Sequence, residues 1–448
     1  MRNSENRLSK TTVFAAAVLL AVAAPAAASR HRAEAAGSAF ATGQLQVQNA
    51  GASGCGANAA GEPSIHVSKA GLVGLSSENG LGGGSQYWQG PSTAAACGLT
   101  YAGQPNAIGG IGLSGGDTDS AFAPEKSAAG TYRIYVASLN LASVNVAVSD
   151  DNGRTFSQTP VQAGLPLDDR EWIAAYGADT SLLTYHDILT NNIDVLRSDN
   201  GGTLYTHVAR VIPDTDYKAM NNELGNLAID HRNASPVSGG FWAYQSFVAP
   251  SSSSGSEFNE AFLGVSADGG HTWTSKPIPC TTAFGAAGLG HNFPNVSVAP
   301  NGTLSYVVSN DTAVYVATSA DHGDTWSCSG PVSTSKRAVF PWHVATSAGT
   351  DLVYYGTPDG QTWYVYFAQN TGSGWSTTQV VPVHKGAICE GGVSCTGGRQ
   401  LLDDFGVDTD QNGFAHIAYT QDSPALGGSG SATGYAVQTA GTPAGYPN

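Results

Sequence analysis

Three features of the sequence together predict an all-β protein. The chain of 448 residues contains 57 Gly and 21 Pro, and only 12% of its residues are charged, a composition typical of strands joined by turns. A short turn motif recurs at intervals of about 50 residues, and a second repeat runs half a period out of phase with it. These observations predict a single β-propeller, seven-bladed with six blades as the alternative, built from four-stranded antiparallel blades.

The N-terminal segment 1–28 is predicted to be a signal peptide. Three basic residues precede an apolar run over 13–24, and three alanines at 26–28 supply a small-residue cleavage site. The run is short for a membrane span, although a retained N-terminal anchor is the alternative interpretation. We therefore expect a secreted, extracellular protein in which 29–43 is a linker.

The net charge of −15 restricts the partners. An acidic chain is repelled by nucleic acids and by anionic membrane surfaces. We expect no nucleic-acid partner and, after removal of the signal peptide, no membrane partner. The expected partner is a carbohydrate substrate or ligand, and the protein is expected to be a monomer.

Six cysteines are an even number, as expected for disulfides in an exported protein. They allow 15 pairings, and neighbours in sequence favour three local ones. No Cys-x-x-Cys pair is present, so zinc-ribbon and thioredoxin-like sites are not indicated. The predicted disulfides are Cys55–Cys97, Cys280–Cys328 and Cys389–Cys395.

The turn motif has the pattern S-x-D-x-G-x-T-[FW]. Full copies begin at Ser149, Ser266 and Ser319, and a degenerate copy begins at Ser198. The Asp side chain can accept backbone N–H groups and the Gly can take a left-handed conformation, which suits a tight hairpin turn. We expect the copies to be structural and to lie between the third and fourth strands of their blades.

This motif resembles the Asp-box of the sialidase-like (BNR-repeat) β-propellers, over about residues 40–448. The resemblance implies a carbohydrate-active propeller. The Arg-Ile-Pro motif of sialidases has no counterpart, because Tyr132–Tyr135 reads Tyr-Arg-Ile-Tyr. No catalytic residue is therefore transferred from that family by motif.

The second repeat places polar residues before a short β segment and marks the innermost strand of each blade. The last unit shows only three strands, so Gln44–Gln48 is predicted to supply the fourth and to close a propeller over 44–448. The seven segments begin at positions 62, 117, 169, 223, 291, 340 and 403.

Propeller topology brings the starts of the inner strands and the loops between second and third strands to the rim opposite the Asp-boxes, around the central funnel. Carboxylates, Arg, Trp and a Tyr-His-Asp triplet on this rim suit sugar binding and acid–base chemistry. Glu62, Asp117 and Asp403 lie there too, and the alternative is that these charges merely solvate the channel. The predicted catalytic residues are Asp169, Glu223, Tyr185, His186 and Asp187. The predicted substrate-binding residues are Arg170, Glu171, Trp172, His291, Trp342, His343, Arg337, Arg399 and Asp404.

The function predicted from these features is that of a secreted glycosidase acting on extracellular glycans or polysaccharides. The alternatives are a non-catalytic glycan- or protein-binding propeller and a polysaccharide lyase. No cofactor is predicted. Asp408–Gly413 matches the start of a calcium loop, but position twelve is Tyr419, so a plain hairpin turn is favoured.

Overall fold

The computed structural model describes most of the chain after residue 36. The predicted signal peptide and the first part of the predicted linker lie outside the described residues, as do His291 and Asp404. The described residues are 37–79, 85–107, 114–140, 143–161, 168–283, 288–289, 293–391, 395–396, 399–403, 405–422 and 430–447.

The described residues form seven four-stranded antiparallel sheets, which confirms the predicted seven-bladed propeller. The first described strand, β1 (Ala39–Gln44), joins the last blade. The first blade consists of β2 (Gly61–Val67), β3 (Leu72–Glu78), β4 (Gln86–Pro91) and β5 (Thr100–Gly103). The second consists of β6 (Ser114–Lys126), β7 (Tyr132–Asn140), β8 (Ser143–Ser149) and β9 (Ser157–Val161). The third consists of β10 (Asp168–Tyr176), β11 (Thr180–Asp187), β12 (Asn192–Ser198) and β13 (Thr206–Arg210).

The remaining blades follow the same order. The fourth consists of β14 (Glu223–Ile229), β15 (Ala243–Ala249), β16 (Glu260–Ser266) and β17 (Thr274–Pro277). The fifth consists of β18 (Asn295–Val298), β19 (Leu304–Ser309), β20 (Val314–Ser319) and β21 (Ser327–Ser329). The sixth consists of β22 (Arg337–Ala345), β23 (Thr350–Thr357), β24 (Thr362–Asn370) and β25 (Trp375–Lys385). The seventh consists of β26 (Gly406–Thr409), β27 (Ala415–Asp422), β28 (Ser431–Ala440) and β1.

Two features close the ring of blades. The inner strands contact one another all the way round, and the N-terminal strand β1 completes the seventh blade. Each inner strand contacts the inner strands of the two neighbouring blades, and β26 contacts β2. The N-terminal closing strand is Ala39–Gln44, so the predicted strand Gln44–Gln48 shares only its first residue with it. The reason is local pairing: Leu45 forms a bridge with Cys55, and the N–H of Gln46 donates to the Gly54 carbonyl at 3.3 Å.

Polar side chains of one inner strand accept hydrogen bonds from backbone N–H groups of the inner strand in the next blade. Asp119 accepts the N–H of Ile173 at 2.9 Å, and Asp408 accepts the N–H of Val67 at 2.7 Å. Asn226 does the same for Val296 at 2.7 Å. An inner strand has no neighbouring strand of its own sheet on the side that faces the axis. The side chains above accept hydrogen bonds from backbone N–H groups on that side, as buried backbone groups require.

Each Asp-box lies between the third and fourth strands, as predicted. In the fourth blade, Asp268 accepts the N–H groups of His271 at 3.1 Å and Thr272 at 2.9 Å. Ser266 accepts the N–H of Gly270 at 2.9 Å, and Gly270 has a φ of +95°. Asp151 and Asp321 make equivalent bonds in their turns, and Asn200 replaces the Asp in the degenerate copy.

The three predicted disulfides are present. Cys280–Cys328 joins the fourth blade to the fifth, whereas Cys389–Cys395 closes a loop between the sixth and seventh blades. The helical content of the described residues is small, namely the 3-10 turn η1 (Tyr217–Met220) and the helix α1 (Cys280–Ala283). Within the described part of the chain, no helix has the length and apolar character needed to cross a bilayer.

The Asp-box hydrogen bonds should stabilise the fold measurably. We expect Asp268→Ala to lower the free energy of unfolding by about 1–2 kcal/mol, because two backbone N–H groups and the Thr272 hydroxyl lose their acceptor. Urea unfolding followed by tryptophan fluorescence measures the change. His271→Ala, in the same turn, is the control and should stay within about 0.5 kcal/mol of the wild type. Equal effects of the two changes would contradict a structural role for the carboxylate.

The disulfides should differ in how much they stabilise the protein. Cys280–Cys328 spans 48 residues and Cys389–Cys395 spans six. Loop-closure entropy predicts losses of about 4 kcal/mol for the Cys280→Ser/Cys328→Ser pair and about 2 kcal/mol for Cys389→Ser/Cys395→Ser. Denaturant unfolding of the two double variants provides the comparison, and a larger loss for the short loop would reject the entropic explanation.

Candidate functional site

The candidate site lies where the inner strands begin, on the rim opposite the Asp-boxes. Several inner strands are bulged here, with breaks in register between Gly61 and Ser64 and between Asp169 and Glu171. Glu62 and Arg170 lie inside these bulges with φ of +45° and +49°. Such left-handed angles in residues with long side chains cost about 1–3 kcal/mol and concentrate at functional sites.

The bulged residues form a buried ionic network that crosses the mouth of the funnel. Arg170 lies 2.8 Å from Asp117 and 3.4 Å from Glu62. Glu62 accepts in turn from Arg399 at 2.7 Å, and Arg399 also pairs with Asp403. Glu62 is 2% exposed and the Arg170 side chain 3% exposed. Four segments distant in sequence are thus held together by alternating charges, Asp117–Arg170–Glu62–Arg399–Asp403.

An aromatic layer supports this network. The Arg170 guanidinium lies 4.6 Å from the ring centre of Trp172 and 4.5 Å from that of Phe293. Trp342 stacks on Trp172 with ring centres 5.0 Å apart. These contacts bring the third, fifth and sixth blades together at the axis, and cation–π attraction adds to the ion pairs that hold Arg170.

The inner strands also enclose a cavity of about 200 Å³ that Trp342 helps to line. His66 projects into it between Asp119 and Asp408, at 3.7 and 3.9 Å. The C-terminal segment contributes Tyr446, whose hydroxyl donates to the Val67 carbonyl at 2.9 Å. The C-terminal tail therefore packs against the axis of the propeller.

Three further carboxyl groups surround the network and have raised pKa values. Burial, reinforced by the nearby Asp169 and Asp403 carboxylates, raises the pKa of Glu223 to about 8. Asp169 lies exposed at the mouth, but the protein around it removes part of its hydration, and this desolvation, together with the Asp117 carboxylate, raises its pKa to about 6. Burial holds the pKa of Glu171 well above its usual range, and this side chain is 1% exposed. Neutral pH therefore leaves Glu223 mainly protonated beside an ionised Asp169.

The predicted residues at the starts of β10 and β14 come together as expected. Asp169 is exposed at the mouth of the funnel, Glu223 is half-buried beside it, and Arg170, Glu171 and Trp172 lie immediately beneath. Arg399 joins them through Glu62. The roles assigned to these residues stay predictions.

The Tyr-His-Asp triplet lies beside this group, and its side chains make packing and turn-forming contacts within the third blade. Tyr185 is fully buried in the core with Ile173 and Leu196. His186 Nε2 lies 3.2 Å from the Asn191 carbonyl, and burial lowers its pKa. Asp187 accepts the N–H of Leu189 at 2.9 Å and shapes the hairpin tip. The structure gives each of the three a packing or turn-forming partner.

Two other predicted residues are held away from the network. Arg337 forms a two-pronged ion pair with Glu390, at 2.6 and 2.7 Å. His343 is 2% exposed and lies 2.6 Å from the Ser305 hydroxyl, and burial lowers its pKa to about 3. The His343 imidazole is therefore neutral and enclosed by protein at the junction of the fifth and sixth blades, where a sugar would not reach it.

The sequence analysis placed Glu62, Asp117 and Asp403 on the rim without predicting that they bind the arginines. Their shared position at the start of an inner strand is the signal that could have found them. Glu390 and Phe293 were missed as partners of Arg337 and Arg170. Glu390 lies in a connection between blades, where no repeat marks it.

The described residues contain no group of three or more His, Cys, Asp or Glu side chains arranged to hold a metal ion. The segment that resembles a calcium loop is a hairpin turn. Asp410 accepts the N–H groups of Asn412 at 2.9 Å and Phe414 at 3.0 Å. Asp408, the first acid of the pattern, is used at the junction with the first blade.

Comparison by sequence gives no relative: no family model matches the chain, and no curated protein is similar enough in sequence to be matched.

Comparison by structure finds carbohydrate-active propellers. The GH74 xyloglucanase from Xanthomonas campestris is 14% identical, with a TM-score of 0.51, over 85% of this chain and 53% of that chain. The GH93 α-L-arabinofuranosidase of Fusarium graminearum is 13% identical, with a TM-score of 0.48, over 85% and 93%. A Hadza microbial sialidase is 13% identical, with a TM-score of 0.44, over 90% and 89%.

The chain spans about half the length of the xyloglucanase, and at 14% identity this likeness shows the fold alone. Together with the seven closed blades and the Asp-box turns, it confirms the architecture expected from the sequence. The chain is a seven-bladed β-propeller with Asp-box turns.

Proposed function

We propose that the protein is a glycoside hydrolase acting on neutral carbohydrate, with Glu223 as proton donor and Asp169 as its partner carboxylate. The observation that carries the proposal is the placement of two carboxyl groups at the starts of the contacting inner strands β10 and β14. Their pKa values differ, at about 8 for Glu223 and about 6 for Asp169. Two neighbouring carboxyl groups whose environments separate their pKa values are the signature of an acid and a base in one site.

The chemistry assigns one step to each group. Glu223 donates its proton to the glycosidic oxygen of the leaving group, which otherwise departs as a poorly stable alkoxide. Asp169, exposed at the mouth, stabilises the oxocarbenium-like transition state or activates its attacker. Burial keeps Glu223 protonated, and ionisation would in addition place another negative charge beside Asp169 and Asp403.

The charge of the site favours a neutral substrate. Arg170 and Arg399 are engaged by Asp117, Glu62 and Asp403. Arg337, which the sequence analysis predicted to bind substrate, is paired with Glu390. A sialic acid or uronic acid would therefore meet arginines already paired and a surplus of negative charge, which repels anions.

This charge pattern also separates the hydrolase from its two alternatives. A polysaccharide lyase acting on uronic acids needs cationic groups to neutralise the substrate carboxylate, and the arginines of the site that the structure describes are already paired with carboxylates. A purely binding propeller needs no protonated carboxyl at pH 7. The charge pattern therefore favours a hydrolase over a lyase, and the raised pKa of Glu223 favours catalysis over binding alone.

We further propose that the protein is secreted and acts outside the cell. The three disulfides support this proposal because such bonds persist in oxidising compartments. The N-terminal pattern of residues 1–28 supplies the expected export signal.

Replacing the proton donor should abolish turnover without loss of the fold. We expect Glu223→Gln to lower kcat/KM on neutral oligosaccharides by about 10²–10⁴-fold, since a carboxamide cannot donate the proton. Reducing-sugar release from a panel of neutral and acidic oligosaccharides is the measurement. Glu257→Gln, the same change on an exposed residue of the same rim, is the control and should retain full activity.

Three results would count against the hydrolase. Full activity of Glu223→Gln would place the acid elsewhere, and unsaturated sugar products would indicate a lyase. Glycan binding by the wild type without any product would indicate a binding module.

The ionisation of Glu223 should also make the free energy of unfolding depend on pH. A raised carboxyl pKa means that the folded state binds the proton more tightly than the unfolded state, so this stabilisation is complete below about pH 4.5 and is lost as pH rises to about 8. Glu223→Gln lacks this dependence. We expect the variant to gain about 1–2 kcal/mol relative to the wild type between pH 5 and pH 9, after allowance for solvent screening. Denaturant unfolding at both pH values measures it, and a constant difference would refute the raised pKa.

A further inference from the structure

A cluster of exposed apolar side chains lies on the funnel rim beside the proposed catalytic pair. Six large hydrophobic side chains are exposed among the described residues, and four of them are on this rim. The other two, Leu204 and Val237, lie in turns on the Asp-box side. We call the four the apolar rim patch: Ile188 (43% exposed), Leu189 (50%), Tyr217 (36%) and Met220 (63%).

The first half of the patch, Ile188 and Leu189, lies in a hairpin turn whose hydrogen bonds leave both side chains exposed. Ile188 and Leu189 occupy the tip of the hairpin between β11 and β12. Asp187 accepts the Leu189 N–H and the Thr190 hydroxyl, each at 2.9 Å. The carboxylate thereby fixes the tip from within, and the two aliphatic side chains remain on the outside.

The second half is fixed by the η1 turn. Asp216 caps this turn by accepting the N–H of Lys218 at 3.1 Å, and the Tyr217 hydroxyl donates to the Pro250 carbonyl at 3.0 Å. The Lys218 ammonium lies 4.7 Å from the Tyr217 ring centre. Met220 ends the turn and is the most exposed member of the patch.

One buried amide joins the two halves. Asn222, 3% exposed, donates to the Asn191 carbonyl of the hairpin at 2.6 Å and to the Lys218 carbonyl of the η1 turn at 2.9 Å. The hairpin tip and the turn are therefore neighbouring segments of the same rim, and each carries exposed apolar side chains.

The patch is continuous with the proposed catalytic pair. Met220 precedes Glu223 by three residues, and Asn222 is its direct neighbour in sequence. On the other side, Asp169 pairs in register with His186, which leads into the hairpin tip. Both halves of the patch are therefore linked to the proposed catalytic pair, one along the chain to Glu223 and the other through strand pairing to Asp169.

The geometry points to an apolar aglycone subsite: the apolar rim patch binds an alkyl, acyl or aryl group attached through the glycosidic oxygen that Glu223 protonates. This inference rests on the proposed function, since a proton donor stands on the leaving-group side of the bond that it cleaves. Apolar surface beside that donor stabilises an apolar leaving group by removing it from water.

Two other occupants fit less well. Four partly exposed side chains cannot supply the roughly 800 Å² that each partner contributes to a stable dimer. The patch adjoins a surplus of carboxylates, and the only cation of the η1 turn, Lys218, is paired with Asp216 at 2.7 Å. An anionic lipid surface would therefore be repelled rather than attracted.

Binding of two simple glycosides to the intact protein tests the subsite. n-Octyl β-D-glucoside, used below its micellar concentration, and methyl β-D-glucoside differ only in the alkyl group, and titration calorimetry compares them. We expect the octyl compound to bind at least about 10-fold more tightly, and Leu189→Ser and Met220→Ser each to weaken it by roughly 3- to 10-fold. Leu204→Ser and Val237→Ser are matched controls on the opposite face and should leave both affinities unchanged.

Several outcomes would overturn the subsite. These are equal affinities for the two glycosides, an octyl affinity unaffected by Leu189→Ser and Met220→Ser, or an equal loss in the controls. A dimer in sedimentation that Leu189→Ser dissociates would make the patch a self-interface. Co-sedimentation with phosphatidylcholine vesicles that Met220→Ser abolishes would make it a membrane contact.

The same experiment separates the subsite from the proposed function, because octyl binding requires no turnover. A patch-dependent octyl affinity without hydrolysis of any neutral glycoside would refute the hydrolase and leave an apolar binding site. Hydrolysis that depends on Glu223 but not on the alkyl group would refute the subsite alone.

Discussion

The buried carboxylate of Glu62 is the interaction on which the site depends. It bridges Arg170 and Arg399, at 3.4 and 2.7 Å, from a bulged position with φ of +45°. A buried charge is costly unless it is paired and hydrogen-bonded, and Glu62 meets this condition only when the first, third and last blades are in register. The closed ring therefore compensates the cost of burying the network, and the network in turn holds Arg170, the neighbour of Asp169 in β10, at the mouth of the funnel.

The acids around the network have unequal pKa values. Burial raises the pKa of Asp117, but its contacts with Arg170, its hydrogen bond with Glu62 and the charge of Arg399 together lower it below the usual value. Glu62 remains dominated by desolvation, so its pKa is raised despite two arginines. Burial, reinforced by neighbouring carboxylates, raises the pKa values of Glu171 and Glu223 more than Arg170 lowers them. Burial beside other carboxyl groups thus produces a proton donor near neutral pH.

The fold could be predicted from the repeats because every blade buries equivalent strand faces against its neighbours and several blades use the same turn. The Asp-box copies at Ser149, Ser266 and Ser319 specify hairpins through local hydrogen bonds, which a sequence pattern records directly. The rim residues Asp169, Arg170 and Glu223 were found because they occupy equivalent positions in successive blades. The closing strand was shifted from Gln44–Gln48 to Ala39–Gln44, because pairing with the Cys55 segment is not periodic.

The partners within the site could not be predicted in the same way. Arg399 reaches Glu62 across 337 residues, and Arg170 reaches it across 108. Such pairs depend on bulges in the inner strands, which no residue pattern marked in advance. Tyr185, His186 and Asp187 looked catalytic as a triplet, yet alternation along β11 and the hairpin turn give them different surroundings.

The central claim is that Glu223 holds a proton near neutral pH. Titration of the side-chain carboxyl carbons in protein labelled with ¹³C-glutamate tests it most directly, with Glu223→Gln used to assign the resonance. The account predicts a midpoint near pH 8 for Glu223. A midpoint near 4.5, the value of an unperturbed glutamate, would contradict it.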